Sequence, residues 1–507
     1  SDSELRKSTV LMRVDGVLRD LDQHVTAEQT IEWVHRSSED GLYVIRHSTA
    51  HLLAQAVKQL YPETQVTIGP VVDNGFYYDF FREAPFSESD LVDIERRMQR
   101  LAKQAMPIKR KVLSREQSLA LFESMGEVFK GEIINDIPAS EELSVYEQGD
   151  FVDLCRGPHV PNTRMLKAFK LTKVSASYWR GDSQGTSLQR IYGTAWSTQE
   201  ELDHHMAMLE EAAKRDHRKL AQVMDLYHIQ PEAPGMMFWH PNGWTLYQVL
   251  EDYMRDYFKS SGYHEIRTPQ LVNQRLWEES GHWAKFKEDM FTLQSDDTEY
   301  AIKPMSCPCH IQVFNKGIKS YRELPYRLAE FGLVHRYEAS GALHGLMRVR
   351  SFVQDDGHIF CEPKDIHHEV GHFIDQTIGI YKDFGFHDVQ IRFSTRPEKR
   401  VGGDDLWDKA ENALEQVLNS KGIDWVLSPG EGAFYGPKLE FSLKDCLGRV
   451  WQCGTIQVDF SMPDRLGATY VSRENKKEVP VMLHRAIFGS VERFIGILIE
   501  HTSGWLP

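Results

Sequence analysis

The sequence predicts an α+β protein whose C-terminal part is built on a mostly antiparallel sheet flanked by helices. Three observations predict it. From about residue 223 onward, strand-like runs broken by Gly/Pro turns are separated by amphipathic helices such as 365–384 and 406–421. Ahead of them, 200–226 is rich in Ala, Leu, Glu, Lys and Arg, has neither Pro nor Gly, and reads as a linking helix. The chain has 507 residues, 41% hydrophobic and 26% charged, which is the make-up of a globular protein of about three domains.

Each element follows in order. Residues 1–36 carry an alternating segment over 10–18 with Asp15-Gly16 as a turn, then a short helical pattern over 27–34, and form a small, incomplete β-containing unit. Residues 37–198 read as an α/β domain, with a helix over 47–60, turns at Gly69-Pro70 and Asn74-Gly75, and a basic helix over 94–103. A linker occupies 199–222, and 223–507 is the sheet-based domain.

Composition excludes several classes. Charge sums to 59 − 74 = −15, so no whole-molecule field draws in nucleic acid, and any polyanion must be met by local patches. The longest apolar stretch near the end, 494–499, is far short of a span of about 20 residues, and the first residues lack the layout of a signal peptide. Six cysteines are too few for a disulfide framework and fit a reducing compartment. The expected location is the cytoplasm, with no membrane contact.

The most informative stretch is 348–358. At period two it sets Arg348, Arg350, Phe352, Gln354, Asp356 and His358 on one face. A half-solvated strand is the bland reading. Yet a ring set among cations, an amide, a carboxylate and an imidazole suits an anion, a flat base and an amine, that is, a nucleotide beside an amino acid. Upstream, Arg336 and Glu338 lie ahead of the Gly-rich turn 340–345, where an Arg can clamp a phosphate and a Glu can hold an amine or the Arg.

With Pro269 and Arg493 added, the pattern resembles the three signature motifs of the class II aminoacyl-tRNA synthetases: a helix and strand ending in Pro269, a strand-loop-strand over 336–358, and a strand-helix carrying Arg493. Within that class it resembles the threonyl-tRNA synthetase family over nearly the whole chain, at landmarks including 238–244, 321–326, 396–400 and 430–438. The resemblance implies a class II catalytic core in 223–507, an editing domain in 37–198 and a partial ubiquitin-like (TGS) unit in 1–36.

Cys307, His358 and His484 could make a three-ligand zinc site with an open position. Their separations of 51 and 126 residues match no local zinc signature, so spacing alone leaves buried core side chains as the alternative. The resemblance implies that they are the zinc ligands, with one Zn2+ per chain. It further implies that Arg336, Arg493 and Lys438 are catalytic. Arg336, Glu338, Arg348, Phe352, Gln452, Ser490 and Arg493 would hold ATP, and Met305, Gln354, Asp356, Tyr435 and Gln457 would hold threonine. Gln452 and Gln457 have opposite parity, so both can face one site only if the strand bulges, with Gly454 the expected place.

In the second domain, His47 and His51 at i and i+4 share a helix face, and Cys155 and His159 follow about a hundred residues later. A zincin would need Glu at position 48, which is Ser, so a metalloprotease is excluded. A pair of ordinary polar residues and a structural zinc site remain as alternatives. The group resembles the site that hydrolyses mischarged tRNA in the same family, and the resemblance adds Asp153 and Lys130.

The expected activity is ATP-dependent ligation of L-threonine to tRNA(Thr) with hydrolysis of mischarged seryl-tRNA, using Mg2+ with ATP, in a homodimer formed through the catalytic domain. A non-catalytic tRNA-sensing module is the rival. The family usually carries a complete ubiquitin-like unit and an anticodon-binding domain, and this sequence has only the later part of the first and stops where the second would begin. A shortened chain and a natural short paralogue both fit. The basic runs at 96–111 and 214–219 read as solvated helix faces or tRNA phosphate contacts, and Cys309, Cys361, Cys446 and Cys453 as core thiols.

Overall fold

The computed structural model describes residues 8–182, 185–295 and 297–506. The first seven residues of the unit expected over 1–36, and Pro507 of the domain expected over 223–507, lie outside them. The chain forms two compact units, 1–209 and 210–507.

The first unit opens with an antiparallel sheet of β1 (Thr9–Val14), β2 (Val17–Arg19) and β3 (Ile31–His35), ordered β2-β1-β3. The helix expected over 27–34 is therefore absent. Ile31, Trp33 and Val34 favour strand, and pairing with β1 outweighs the weak helical period. Val10, Leu11 and Val34 pack into the same apolar core as the elements that follow, so this sheet has no separate interior.

Next comes α1 (Glu39–Leu60), longer than expected because Ser38 caps it, accepting from the Gly41 N–H at 3.1 Å. A Cβ on Gly41 would lie 2.0 Å from the His35 carbonyl oxygen, so only glycine fits where the chain turns into the helix. The main sheet contains β4 (Gln65–Val66), β5 (Val71–Val72) and β6 (Gly75–Phe81), joined later by β10 (Ala168–Tyr178) and β11 (Ser187–Trp196), in the order β10-β11-β6-β4 with β5 on β6. Between them lie α2 (Glu88–Lys103), α3 (Val128–Asp136), and a second sheet of β7 (Ile108–Leu113), β8 (Leu143–Gln148) and β9 (Phe151–Leu154). The linking helix expected over 200–226 is two helices, α4 (Gln199–Lys214) and α5 (His217–Val223). Asp216 ends the run by capping α5 through the Arg218 N–H at 2.9 Å.

The second unit is built on α6 (Pro241–Ser260), β12 (His264–Glu265), α7 (Cys307–Phe314), β13 (Tyr326–His335), β14 (Ser351–Cys361), α8 (Ile366–Asp383), β15 (Val389–Ser394), α9 (Asp404–Lys421), β16 (Trp425–Ser428), β17 (Lys438–Lys444), β18 (Val450–Asp459), β19 (Val481–Ala486) and α10 (Val491–Thr502). The eight strands run β12-β13-β14-β19-β18-β17-β15-β16. The edge pairs β12·β13 and β15·β16 are parallel and the interior pairs antiparallel, as a mostly antiparallel sheet requires. Helices α6, α8, α9 and α10 share one apolar core with the strands. Among the described residues no helix is long and apolar enough to cross a membrane.

Two details of this sheet set up the site. A register shift between β17 and β18 leaves Cys453 as the extra residue, beside Gly454, where opposite parity called for a bulge. On β14, a Cβ at Gly357 would lie 2.4 Å from Arg485 Nε, so glycine there lets that buried guanidinium cross the strand. Of the four cysteines expected in the core, Cys309, Cys361 and Cys453 are buried, but Cys446 is exposed. It sits in the turn after β17, its Sγ within 3.2 Å of Arg215 Nη1 and of the His501 carbonyl.

Candidate functional site

In the second unit, adjacent antiparallel strands β13 and β14 deliver the loop between them, and β18, β19 and the start of α10 close the other side, around a cavity of about 670 Å³. Every residue expected to hold ATP, threonine or zinc lines it. From the 336–358 stretch come Arg336, Glu338, Arg348, Phe352, Gln354, Asp356 and His358. Met305 and Cys307 come from the start of α7, Tyr435 and Lys438 from β17 and its approach, Gln452 and Gln457 from β18, His484 from β19, and Ser490 and Arg493 from the α10 N-terminus. Arg350 departs from the alternating face. It precedes β14, donates to the Glu338 carbonyl at 2.8 Å and to Ser340 Oγ at 3.2 Å, and braces the loop.

The cavity is electrostatically prepared for an anion. Arg336 stacks over Phe352 at 5.2 Å, and burial lowers its affinity for its proton. Its one side-chain hydrogen bond among the described residues is long, 3.3 Å to the Pro304 carbonyl. Arg493 has a buried Nε with no partner among the described residues. Half-buried cations without a carboxylate partner are costly, and a polyphosphate would relieve that cost. Arg348 donates to Glu338 at 2.9 Å, Lys438 lies 2.7 Å from Glu440, and Tyr435 donates to Gln457. Behind the strand, Asp355 accepts from the Ile487 and Gly489 N–H groups at 2.7 and 3.0 Å, tying β14 to the strand-helix turn. Glu492 accepts from Tyr247 and from the Val353 N–H, both at 3.0 Å, and burial pushes its carboxyl up to about 7.

One wall holds Cys307, His358 and His484, all buried, with ligand atoms within 4.8 Å of one another. His358 Nε2 and His484 Nδ1 are 3.1 Å apart, and the other nitrogen of each ring is engaged. His484 Nε2 lies 3.0 Å from Asp459. His358 Nδ1 lies 2.8 Å from His310, whose far nitrogen is 3.1 Å from Glu330, itself salt-bridged to Lys303. Burial holds His358 far below the usual imidazole range, so its lone pair is free to coordinate. One soft thiol and two outward-anchored imidazoles are the donor set of a zinc ion, and these residues fit one. His310, Glu330, Lys303 and Asp459 escaped the sequence reading, as did His282, whose Nε2 is 3.5 Å from Cys307 Sγ. His310 alone left a signal, in the run Cys307-Pro-Cys-His310.

In the first unit a second His/Cys group forms. His47, His51, Cys155 and His159 place their ligand atoms within 4.8 Å of one another. Cys155 Sγ lies 3.2 Å from His47 Nε2 and 3.3 Å from His159 Nε2, and accepts the Gly157 N–H at 3.2 Å. His51 is 3.4 Å from Asp153, which also receives Tyr78 at 2.7 Å and pairs with buried Lys130 at 2.5 Å. Burial pushes His47 down to about 3 and His51 to about 4, and lifts the Cys155 thiol to about 12. Burial would also raise Asp153, but Lys130 and His51 bring it below the ordinary carboxyl value. A neutral thiol among neutral imidazoles is no cysteine nucleophile; it can position and polarise a water. His47 and Cys155 are half-buried, whereas His51 and His159 are buried, so the former pair forms the open edge. Sequence reasoning missed Tyr78, Ser48, Tyr146 and Asp20, which surround the group.

The antiparallel sheet with a nucleotide-sized cavity between the strand-loop-strand and strand-helix motifs defines a class II aminoacyl-tRNA synthetase. Residues 288–502 match the tRNA synthetase class II core domain (G, H, P, S and T), and residues 143–192 match the threonyl and alanyl tRNA synthetase second additional domain. The chain is 62% identical to the threonine–tRNA ligase of Methylococcus capsulatus over 99% of its own length and 79% of that protein's. To the threonine–tRNA ligase of Marinobacter nauticus it is 61% identical, covering 99% and 78%. A solved RNA-binding domain of threonyl-tRNA synthetase from Cryptosporidium parvum superposes with a TM-score of 0.57 at 45% identity, over 58% of this chain and 74% of that one. The chain belongs to the threonine–tRNA ligase family, whose core performs ATP-dependent aminoacylation of tRNA with threonine and whose additional domain edits.

Proposed function

We propose that the cavity of the second unit activates threonine and charges tRNA(Thr), and that the His/Cys group of the first unit hydrolyses seryl-tRNA. The single observation that carries the reading is that buried Cys307, His358 and His484 open into the same cavity as two arginines lacking carboxylate partners. In this reading Arg336 and Arg493 hold the ATP phosphates, Phe352 stacks on adenine, and Glu338, Arg348, Gln452 and Ser490 complete the nucleotide contacts. Lys438 and the two arginines offset the charge that develops at the α-phosphate when the threonine carboxylate attacks and pyrophosphate leaves, and Mg2+ arriving with ATP would supply further positive charge. Met305, Gln354, Asp356, Tyr435 and Gln457 orient the amino acid.

Cys307, His358 and His484 would hold one zinc per chain, which when bound offers an open Lewis-acid position to the amino and hydroxyl groups of threonine. Valine lacks the hydroxyl and leaves the polar partners unsatisfied. Serine keeps both groups and differs by one methyl, worth only about 1–3 kcal/mol, so a second hydrolytic site is needed. In that site Lys130 holds Asp153 ionised, Asp153 anchors His51, and His47 with Cys155 positions the water that attacks the seryl ester.

The domains we assign are 1–36, 37–198, 199–222 and 223–507, in a cytoplasmic homodimer joined through the catalytic domain. Threonine-dependent ATP–pyrophosphate exchange tests the main reading: zinc-loaded protein should exchange with threonine and stay at background with valine. Background with threonine would favour a tRNA-sensing module.

A further inference from the structure

Asp20 lies just past β2, far in sequence from the editing cluster, and is only 6% exposed. A carboxylate is buried without loss only where donors meet it. Two of the three donors that meet Asp20 belong to the cluster and its surround. Its Oδ1 accepts the His159 backbone N–H at 2.7 Å, and its Oδ2 accepts the Tyr146 hydroxyl at 2.7 Å and the Gln23 amide at 3.2 Å. Tyr146 in turn packs its ring edge against the His159 imidazole, with centroids 4.4 Å apart.

The loop from Cys155 to His159 sits on this arrangement. Gly157 has φ +76°, and a Cβ there would fall 1.8 Å from the Tyr146 hydroxyl oxygen, so that hydroxyl lies directly beneath the loop backbone. One carboxylate therefore grips the loop twice, through the His159 N–H and through the tyrosine below Gly157. His159 carries the grip to the reacting edge: its Nδ1 is 3.0 Å from Ser48 Oγ and its Nε2 is 3.3 Å from Cys155 Sγ. Asp20 touches neither His47 nor Cys155.

We propose that Asp20 is a positioning residue for seryl-tRNA hydrolysis, through which the N-terminal three-stranded sheet sets the geometry of the Cys155–His159 loop. The proposal rests on the editing reading above. It makes that sheet a working part of the editing site, although the sheet lies outside the 143–192 stretch that matches the additional-domain family. Losing both contacts should lower kcat while leaving KM unchanged, because the ester still binds but the water-holding pair is displaced. An amide at this position still accepts from the His159 N–H, so Asp20→Asn should retain most of the rate.

The experiment measures Ser-tRNA hydrolysis and threonine-dependent pyrophosphate exchange on the full chain for wild type, Asp20→Ala, Asp20→Asn, Tyr146→Phe and Cys155→Ala. We expect kcat for hydrolysis to fall about tenfold in Asp20→Ala, as the loss of buried hydrogen bonds implies. Asp20→Asn should recover most of that, Tyr146→Phe should lie between, and exchange should stay at the wild-type level in all three. Wild-type hydrolysis in Asp20→Ala with loss in Cys155→Ala would overturn the role of Asp20 alone. Wild-type hydrolysis in every variant would overturn the editing reading and this proposal together. Parallel loss of hydrolysis and exchange in Asp20→Ala would reduce Asp20 to a structural residue. Should Asp20→Ala not fold, Tyr146→Phe at the wild-type rate would overturn the proposal.

Discussion

Among the described residues two His/Cys groups of nearly the same composition form, and their surroundings separate them. In the second unit the ligand nitrogens of His358 and His484 face each other while their far nitrogens are held by His310 and Asp459. That outward anchoring aims lone pairs at one point and suits a metal. In the first unit the imidazoles of His47 and His159 meet the Cys155 thiol, while His159 Nδ1 is held by Ser48 and His51 Nδ1 by Asp153, itself paired with Lys130. Ring anchoring is thus common to both groups, and in the first unit the thiol already engages two rings, which suits a polarised water. The larger difference lies beyond the ligands: the group of the second unit opens into a cavity with Arg336, Phe352 and Arg493, whereas Lys130, the cation beside the first-unit group, is buried in a pair with Asp153. Residue type and ring anchoring therefore do not assign the chemistry; what each group opens onto does.

Breaking the first group should have the largest effect. Cys307→Ser is expected to lose zinc and lower threonine activation on the order of a thousandfold, equivalent to about 4 kcal/mol. Metal analysis beside pyrophosphate exchange checks both, with seryl-tRNA hydrolysis unchanged. Next, Cys155→Ala or His47→Ala should lower seryl-tRNA hydrolysis by about 10²-fold or more, the range for a positioned acid–base group. Threonine activation stays intact in the same preparations.

A subtler test addresses the anchoring itself. Asp459 Oδ1 caps the Ser461 and Met462 N–H groups at 2.7 and 2.9 Å. In Asp459→Asn the amide oxygen keeps that cap and turns its NH₂ toward His484 Nε2, forcing the wrong tautomer. Zinc affinity should drop about 10–100-fold, read by chelator competition. An unchanged affinity would remove the orienting role of Asp459.

A last test reads stability rather than rate. His47 and His51 lie near 3 and 4 when folded, against an ordinary 6.5, so between about pH 6.5 and 4 the unfolded chain binds more protons. Stability is full above 6.5 and declines as pH falls toward 4. Urea midpoints of the first unit should track that window, and a midpoint independent of pH there would contradict the burial of neutral rings.

Sequence showed the local part of this architecture. Period-two alternation over 348–358 named the cavity face of β14, and the parity of Gln452 and Gln457 required the bulge found at Cys453–Gly454. The i, i+4 spacing of His47 and His51 paired them on α1. Long-range partners had no such marks. His310 and His358 meet because α7 packs beside β14, and Glu330 reaches them from β13; nothing in spacing encodes that meeting. The stretch 27–34 misled because its apolar spacing suits a helix while its partner, β1, makes it strand. Cys446 misled because burial follows the turn it occupies rather than its type.

The most direct test removes the metal and follows both reactions in one preparation. After chelation, threonine-dependent pyrophosphate exchange should vanish and return with one equivalent of zinc per chain, while hydrolysis of seryl-tRNA continues at the untreated rate. Hydrolysis that falls with exchange, or restoration that needs two equivalents, would contradict the division of the two groups into a metal site and a metal-free hydrolytic one.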